Sequence, residues 1–341
     1  MDRRRFLNPE PLLFGADIAA SLFSDPLAET LDDGEGPALV RYSRRAMGTT
    51  FEIVLPLGTP RASEAACAAL DLIDHLESLL TVYRDHSELS RVNREAFDHE
   101  VAVSAELFEI LALSSRLTHE TGGAFDVASG AIIKAWGFLR GPRRVPAPEE
   151  QAEAIQRSGM RFVVLHPERR TVRFLRDGVE INLGSIGKGY ALDQAAALLR
   201  ERFGIQSALL HGGHSSVYAI GSLPGHERGW PVGVTHPEDP SVRLLSLWLR
   251  DSALGVSAKT FRHLEWQGRK LGHILDPRTG WPAEGLAHVS VLAPTAAEAD
   301  ALATALFVLG EAEARRYLAS RPDLQAIILS EAQREELARP R

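Results

Sequence analysis

A single cysteine, Cys67, stands in 341 residues. One cysteine excludes an internal disulfide and any metal cage built on thiolates. Cys67 lies among alanines in a helical pattern and is expected to serve as a small buried hydrophobe. No run of about 18 apolar residues occurs, so no segment reads as a membrane-spanning helix. Basic excess is also missing: 38 Lys and Arg stand against 45 Asp and Glu, a net charge of −7. That leaves no electrostatic footprint for nucleic acid. A phosphate-bearing ligand would need local basic groups or a metal. There is no G-x-S-x-G elbow for a serine hydrolase and no dinucleotide fingerprint. A Walker A loop fails too, because Asn182 stands where its first glycine would be, five residues before Gly187. Internal repeats and low-complexity tracts are lacking.

What is present is the composition of a soluble globular protein: 45% hydrophobic and 24% charged residues. The length suffices for two domains or one large one. The chain starts MDRRRFLNPEPLLFGADIAASLF. Arg3 to Leu7 look like the opening of a twin-arginine signal. Asn8, Pro9, Glu10 and Pro11 then stand where an apolar core should follow, and Asp17 interrupts the next apolar run. The expectation is a cytoplasmic protein with a short peripheral N-terminal segment; export is the alternative. Residues 26–40 are polar and turn-rich and read as a linker. The expected organisation is a segment and linker over 1–40, a folded domain over 41–330 and a frayed tail over 331–341.

Within the domain, Thr49 to Leu55 alternate as a strand. Ala62 to Leu80 carry Ala66, Leu70, Ile73, Leu76 and Leu80 at helical spacing. Tyr83 to Arg94 read as a polar loop. Ser104 caps a helix through His119. Residues 141–150 make a surface connection into a short helix. Phe162–Val164 and Thr171–Leu175 read as paired strands, and Gly187–Phe203 as a helix. Short strands follow at Ser207–Leu210, Ser215–Ile220, Leu244–Leu249, Leu254–Ser257 and Arg262–Trp266. A strand at Val289–Val291 ends at Pro294. Thr295 and Glu298 form a capping box for a helix that stops at Gly310. Glu311–Ser320 and Ala326–Leu329 complete the chain as helix and strand. The strands resemble hairpins and do not alternate with helices, which argues for α+β and against a doubly wound sheet.

Five stretches carry chemistry-bearing residues. Asp300 and Thr304 are four apart on one helix face. A carboxylate and a hydroxyl oxygen there suit a hard cation such as Mg²⁺, although a surface Asp beside a Thr is the commoner meaning of such a pair. NLGSIGKGYALD (Asn182–Asp193) places Lys188 among glycines at a helix start; this is either an anion site or a tight turn with a solvated lysine. HGGHSS (His211–Ser216) has glycines that permit close approach to a ligand. Its histidines lack a standard zinc spacing, which favours turn chemistry. HILDPRTGWPA (His273–Ala283) holds a strong turn signal at Asp276–Gly280, with His273 just upstream as a candidate general base or a structural histidine. TGGAFD (Thr121–Asp126) followed by Trp136-Gly137-Phe138 reads as a ligand-lining loop with an aromatic wall, or as core packing of Phe125 and Trp136.

Taken in order, MGTTFEIVL (Met47–Leu55), YRDHSELSRVN (Tyr83–Asn93), TGGAFD, NLGSIGKGYALD, the GG turn, HILDPRTGWPA and ADALATALFVLG (Ala299–Gly310) resemble the FAD:protein FMN transferase family, the ApbE-like flavin transferases. The resemblance covers roughly residues 41–330. It implies a two-lobed α+β fold with mixed or antiparallel sheets flanked by helices, and FAD in a cleft between the lobes. It implies Mg²⁺ at the FAD pyrophosphate, and transfer of FMN to a Thr or Ser hydroxyl of a partner flavoprotein with release of AMP. By resemblance Asp300, Thr304 and the Gly187 carbonyl hold the metal, and His273 is the base for the acceptor hydroxyl. Met47 and Tyr83 border the flavin. Gly122, Gly123, Ala124, Asp126, Lys188, Gly212 and Gly213 line the FAD cleft. Three family acids are replaced here, by Asn182, His214 and Lys259. The alternative they raise is a relative that binds or hydrolyses FAD without labelling a protein. Neither reading involves nucleic acid or a membrane span.

Overall fold

The computed structural model describes residues 37–139, 141–235, 243–259 and 263–333. The N-terminal signal-like segment lies outside them. The chain opens as a hairpin, β1 (Leu39–Ala46) and β2 (Thr49–Pro56), joined by Met47 and Gly48 with φ of 49° and 74°. Two successive positive φ values make the tight turn whose twist matches antiparallel strands. Helix α1 (Ala62–Leu80) buries Ala66, Leu70, Ile73, Leu76 and Leu80, as their spacing requires. Cys67 falls on its outer face and is exposed, which corrects the expected buried role: the inward stripe passes through 65, 66, 69 and 70 and misses 67.

The polar stretch after α1 is not a loop throughout. It contains helix α2 (Glu88–Glu95), whose cap Ser87 accepts the Ser90 N–H at 3.0 Å. Only Leu89 and Val92 are buried there, too few apolar positions to show a period. A small three-stranded sheet follows from β3 (Val101–Ala102), β4 (Val163–His166) and β5 (Thr171–Phe174) in the order β3-β5-β4. Between its strands come α3 (Ala105–Glu120), capped by Ser104, then α4 (Gly130–Ala135) and α5 (Pro148–Gln156).

Helix α6 (Gly187–Phe203) leads into β6 (Ala208–Gly212) and β7 (Ser216–Ile220). Next come β8 (Trp230–Thr235), β9 (Arg243–Leu249), β10 (Ser252–Ala258), β11 (His263–Trp266) and β12 (Arg269–Gly272). Strand β13 (Leu286–Ala293), helix α7 (Ala296–Ala319) and β14 (Gln325–Ser330) complete the fold. Gly310, at φ 75° and ψ 169°, interrupts α7 at the expected stop. Strands β1, β3, β8 and β12 are additions to the sequence reading.

The central sheet runs β1-β2-β6-β7-β10-β13-β14. Every pairing among the described residues is antiparallel. Alternate residues serve its two faces. Ile53, Leu210, Tyr218, Val289 and Ile328 join one core with α1, α6 and α7. Val54, Leu209, Val217, Leu254 and Ile327 join a second core under the β8–β9 hairpin. Helix α7 comes unusually close to its neighbours. A Cβ on Gly189 would lie 2.1 Å from the Ala296 carbonyl oxygen, and one on Gly255 would lie 2.3 Å from the Ala299 carbonyl carbon. Alanines along α7 and glycines opposite them let the backbones approach this closely. A third apolar cluster, Ile132, Trp136, Ala154 and Leu271, unites α4, α5 and β11–β12 as a smaller lobe.

Candidate active site

A cleft of about 1040 Å³ lies between the α6–α7 side of the central sheet and the smaller lobe. Its floor comes from two helices that cross near their starts. Asp193 of α6 accepts the backbone N–H groups of Ala296 and Ala297 at 2.7 and 2.8 Å, so α6 caps α7 from outside. Burial pushes that carboxyl up to about 7 against the pull of the two donors. The capping is reciprocal. Helix α6 has no side-chain cap of its own, and Asp300 of α7 accepts the Gly189 N–H at 2.9 Å. A carboxylate at a helix N-terminus is favoured by the exposed N–H groups and the helix dipole.

Asp300 is therefore no surface residue. It is 6% exposed and takes two further contacts from the Ser216 hydroxyl, at 2.7 Å to Oδ1 and 2.8 Å to Oδ2. The Lys188 ammonium stands 4.0 Å from Oδ2. Burial raises the Asp300 carboxyl to about 6, while Lys188 and the two donors hold it down. One turn on, the Thr304 hydroxyl lies 3.1 Å from Ser257 Oγ and 3.3 Å from the Asp300 carbonyl. Asp300, Thr304, Gly187 and Lys188 all line the cleft.

The donors gathered here are a carboxylate, hydroxyls and a backbone carbonyl, with no sulfur. Hard oxygen donors and a single carboxylate fit Mg²⁺, which keeps several waters and takes phosphate oxygens as its remaining ligands. Among the described residues no group of three or more His, Cys, Asp or Glu is placed to hold a metal. A soft-metal cage therefore has no counterpart among them.

The other walls hold the remaining candidates. Met47, Ala124 and Gly212 line the cleft, and Tyr83 stands at its rim, 63% exposed. Gly122, Gly123 and Gly213, at φ of 58°, 80° and 69°, form the turns that present Ala124 and His214 to it. Asp126 lines the cleft, but its carboxylate is taken by the N–H groups of Ala128 and Met160, so it shapes the loop. Burial raises its pKa. His273 lines the opposite wall, one residue past β12. The following turn is tied by Gly280 N–H to the Asp276 carbonyl at 2.8 Å. The Trp136 indole donates to the Gly280 carbonyl at 2.8 Å, fixing the turn to the smaller lobe. Phe125 and Trp136 are buried core residues.

At the three altered positions, Asn182 Oδ1 accepts the Gly184 N–H at 2.9 Å, His214 lines the cleft, and Lys259 pairs with Glu331. Sequence reasoning did not single out Ser216, Gly189, Arg84 or Arg143 as site residues. Arg84 and Arg143 line the cleft, and Ser216 and Gly189 donate hydrogen bonds to Asp300. Arg84 stood in the YRDHSELSRVN stretch, Gly189 in the glycine-flanked lysine motif and Ser216 in the HGGHSS stretch, whereas Arg143 lay in the stretch read as a surface connection.

Fold and cleft together define an α+β protein of two lobes with a deep ligand cleft floored by helix starts. The ApbE family model matches residues 47–328, and the chain belongs to the ApbE family. Relatives named FAD:protein FMN transferase are 32% identical in Treponema pallidum, covering 86% of each chain, and 31% identical in Haemophilus influenzae, covering 81% of this chain and 82% of the relative. Among solved structures, the ApbE protein of Thermotoga maritima superposes with a TM-score of 0.79 at 28% identity, covering 86% of this chain and 95% of its own. The flavin transferase ApbE of Vibrio cholerae gives 0.74 at 25%, covering 86% and 93%.

Proposed function

We propose that this chain transfers FMN from FAD to a Thr or Ser hydroxyl of a partner flavoprotein and releases AMP. The observation that carries the reading is the buried Asp300 of α7, with half-buried Thr304 one turn on, beside Lys188 at the start of α6 and in one cleft with His273. In this reading the FAD pyrophosphate lies over the α6 start, near the Lys188 ammonium. Asp300, Thr304 and the Gly187 carbonyl hold Mg²⁺, which supplies charge stabilisation at the phosphate oxygens when bound. Met47 and Tyr83 border the isoalloxazine. The acceptor oxygen forms a new bond to the FMN phosphorus, and the pyrophosphate bond on that phosphorus breaks. AMP leaves with the bridging oxygen, and the hydroxyl proton passes to an imidazole nitrogen of His273. The smaller lobe closes one side of the cleft and limits water, which would otherwise compete with the acceptor. The protein is read as cytoplasmic; recovery of a mature chain that starts beyond about residue 25 would overturn that. Among the described residues no helix is long and apolar enough to cross a membrane.

The test is co-expression with a candidate acceptor flavoprotein, followed by intact-mass analysis and assay of AMP. The expected result is an acceptor heavier by one FMN and an equal amount of AMP, both lost in Asp300→Asn. Asn keeps an acceptor for Gly189 or Ser216, whereas Ala would strand these buried donors at a cost of about 1–3 kcal/mol. AMP and free FMN without a labelled acceptor would support the hydrolytic alternative. No turnover of FAD at all would remove both.

A further inference from the structure

Ser216 opens β7 with no exposed surface, and its hydroxyl faces Asp300 across the start of α7. Its oxygen lies at nearly equal distances from the two carboxylate oxygens, 2.7 and 2.8 Å. A group equidistant from both oxygens stands on the axis that bisects a carboxylate. A cation chelated by both oxygens would have to stand in the same place. The Gly189 N–H takes a further direction on Oδ2, at 2.9 Å. The carboxylate therefore has one lightly engaged oxygen, Oδ1, to offer the cleft.

We infer that Ser216 is a positioning residue that restricts Asp300 to one-oxygen coordination and thereby selects Mg²⁺ over Ca²⁺. The inference rests on the metal reading given above. The two ions differ in the way that this geometry exploits. Mg²⁺ takes six ligands at about 2.0–2.1 Å and is satisfied by one carboxylate oxygen with phosphates and waters, while Ca²⁺ takes about 6–8 oxygens at roughly 2.3–2.6 Å and commonly uses both oxygens of a carboxylate. Blocking the chelating edge costs Mg²⁺ nothing and denies Ca²⁺ a ligand. A purely structural Ser216 would behave differently. Its removal would weaken both ions alike, through a less well-held Asp300.

Calorimetric titration of the full chain with MgCl₂ and with CaCl₂, each with and without FAD, separates the two. In Ser216→Ala the chelating edge opens, and the Ca²⁺-to-Mg²⁺ affinity ratio should rise by about tenfold or more, the usual scale for residues that orient a metal ligand. Ser216→Cys keeps a side chain of similar size with a weaker donor, and should move the ratio the same way. It carries the test if the alanine variant does not fold. A ratio unchanged within about twofold, alongside binding that Asp300→Asn abolishes, would overturn the inference and leave the metal site standing. No binding of either ion to the wild-type chain would overturn both.

Discussion

The two faces of the central sheet are covered by different kinds of structure, and they bury different chemistry. The helix-covered face holds Asp300, Asp193, Ser216, Ser257 and Thr304 in or beside its core. The face under β8–β9 is lined by Val54, Leu209, Val217, Leu254, Ile327, Trp230 and Leu249. The buried polar side chains of the sheet on this face include His211, His288 and Ser290, the last two joined at 2.6 Å. The difference follows from where spare backbone donors exist. The first turn of a helix has N–H groups without helical partners, so α6 and α7 can each receive a buried carboxylate. Most donors of a hairpin are used in its ladder, and a buried charge there would go unmatched. Function collects on the face that can tolerate charge, and the other face is left to hold the sheet.

The largest test of this division is Trp230→Ala. Trp230 is fully buried and donates to the Ile220 carbonyl at 3.1 Å. Its loss should cost about 3–5 kcal/mol in urea unfolding. FAD affinity of the folded fraction should not change; a weakened affinity would show that the two faces are coupled. Gly189→Ala probes the other face. Its Cβ would meet the Ala296 carbonyl at 2.1 Å and force α6 from α7, costing about 1–3 kcal/mol by overpacking. Here FAD binding should fall together with stability, because Lys188 and Asp300 ride on the separated helices.

A pH experiment sharpens the comparison further. Burial holds His288 down to about 3, against 6.5 for a free imidazole. The unfolded chain thus binds a proton below pH 6.5 that the folded chain refuses. The stability from neutral His288 is complete above pH 6.5 and is lost as pH falls toward 3, by at most about 1.4 kcal/mol per pH unit. Asp193 and Asp300, whose carboxyls burial raises to about 7 and 6, give slopes of the opposite sign in the same window. The His288 part is therefore read as a difference: the unfolding free energy of His288→Gln relative to wild type should rise as pH falls from about 6.5 to about 4.5, and a difference independent of pH would remove His288 from the acid response. The smallest effect is expected from Thr295→Ala. The hydroxyl accepts the Glu298 N–H at 3.3 Å. Asp193 already serves Ala296 and Ala297, so the loss should be about 1 kcal/mol or less, with FAD turnover unchanged. A large loss of turnover would mean that the Thr295 cap itself sets the position of Asp300.

Elements with a strong period or a clear cap are legible in the amino-acid sequence. Helix α1 begins and ends as its apolar spacing places it, α6 spans the expected Gly187–Phe203, and Thr295 and Gly310 bound the first part of α7. Helix α2 is not legible, because two apolar residues cannot declare a period. Cys67 is misplaced for a related reason: alanines on both sides of α1 obscure which face turns inward.

The site divides along the same line. Sequence by itself determined which residue types were available: a glycine-flanked lysine at a helix start, an Asp and a Thr one helical turn apart, and a histidine before a tight turn. Those are local facts, set by spacing along one element. Tertiary structure alone decided that Asp300 is buried, that it caps α6 while Asp193 caps α7, and that Ser216 stands across its carboxylate. Such contacts join residues 84 to 111 positions apart. No local pattern encodes them, because they depend on how closely α6, α7 and β7 approach, and that distance is set by the small side chains packed between them.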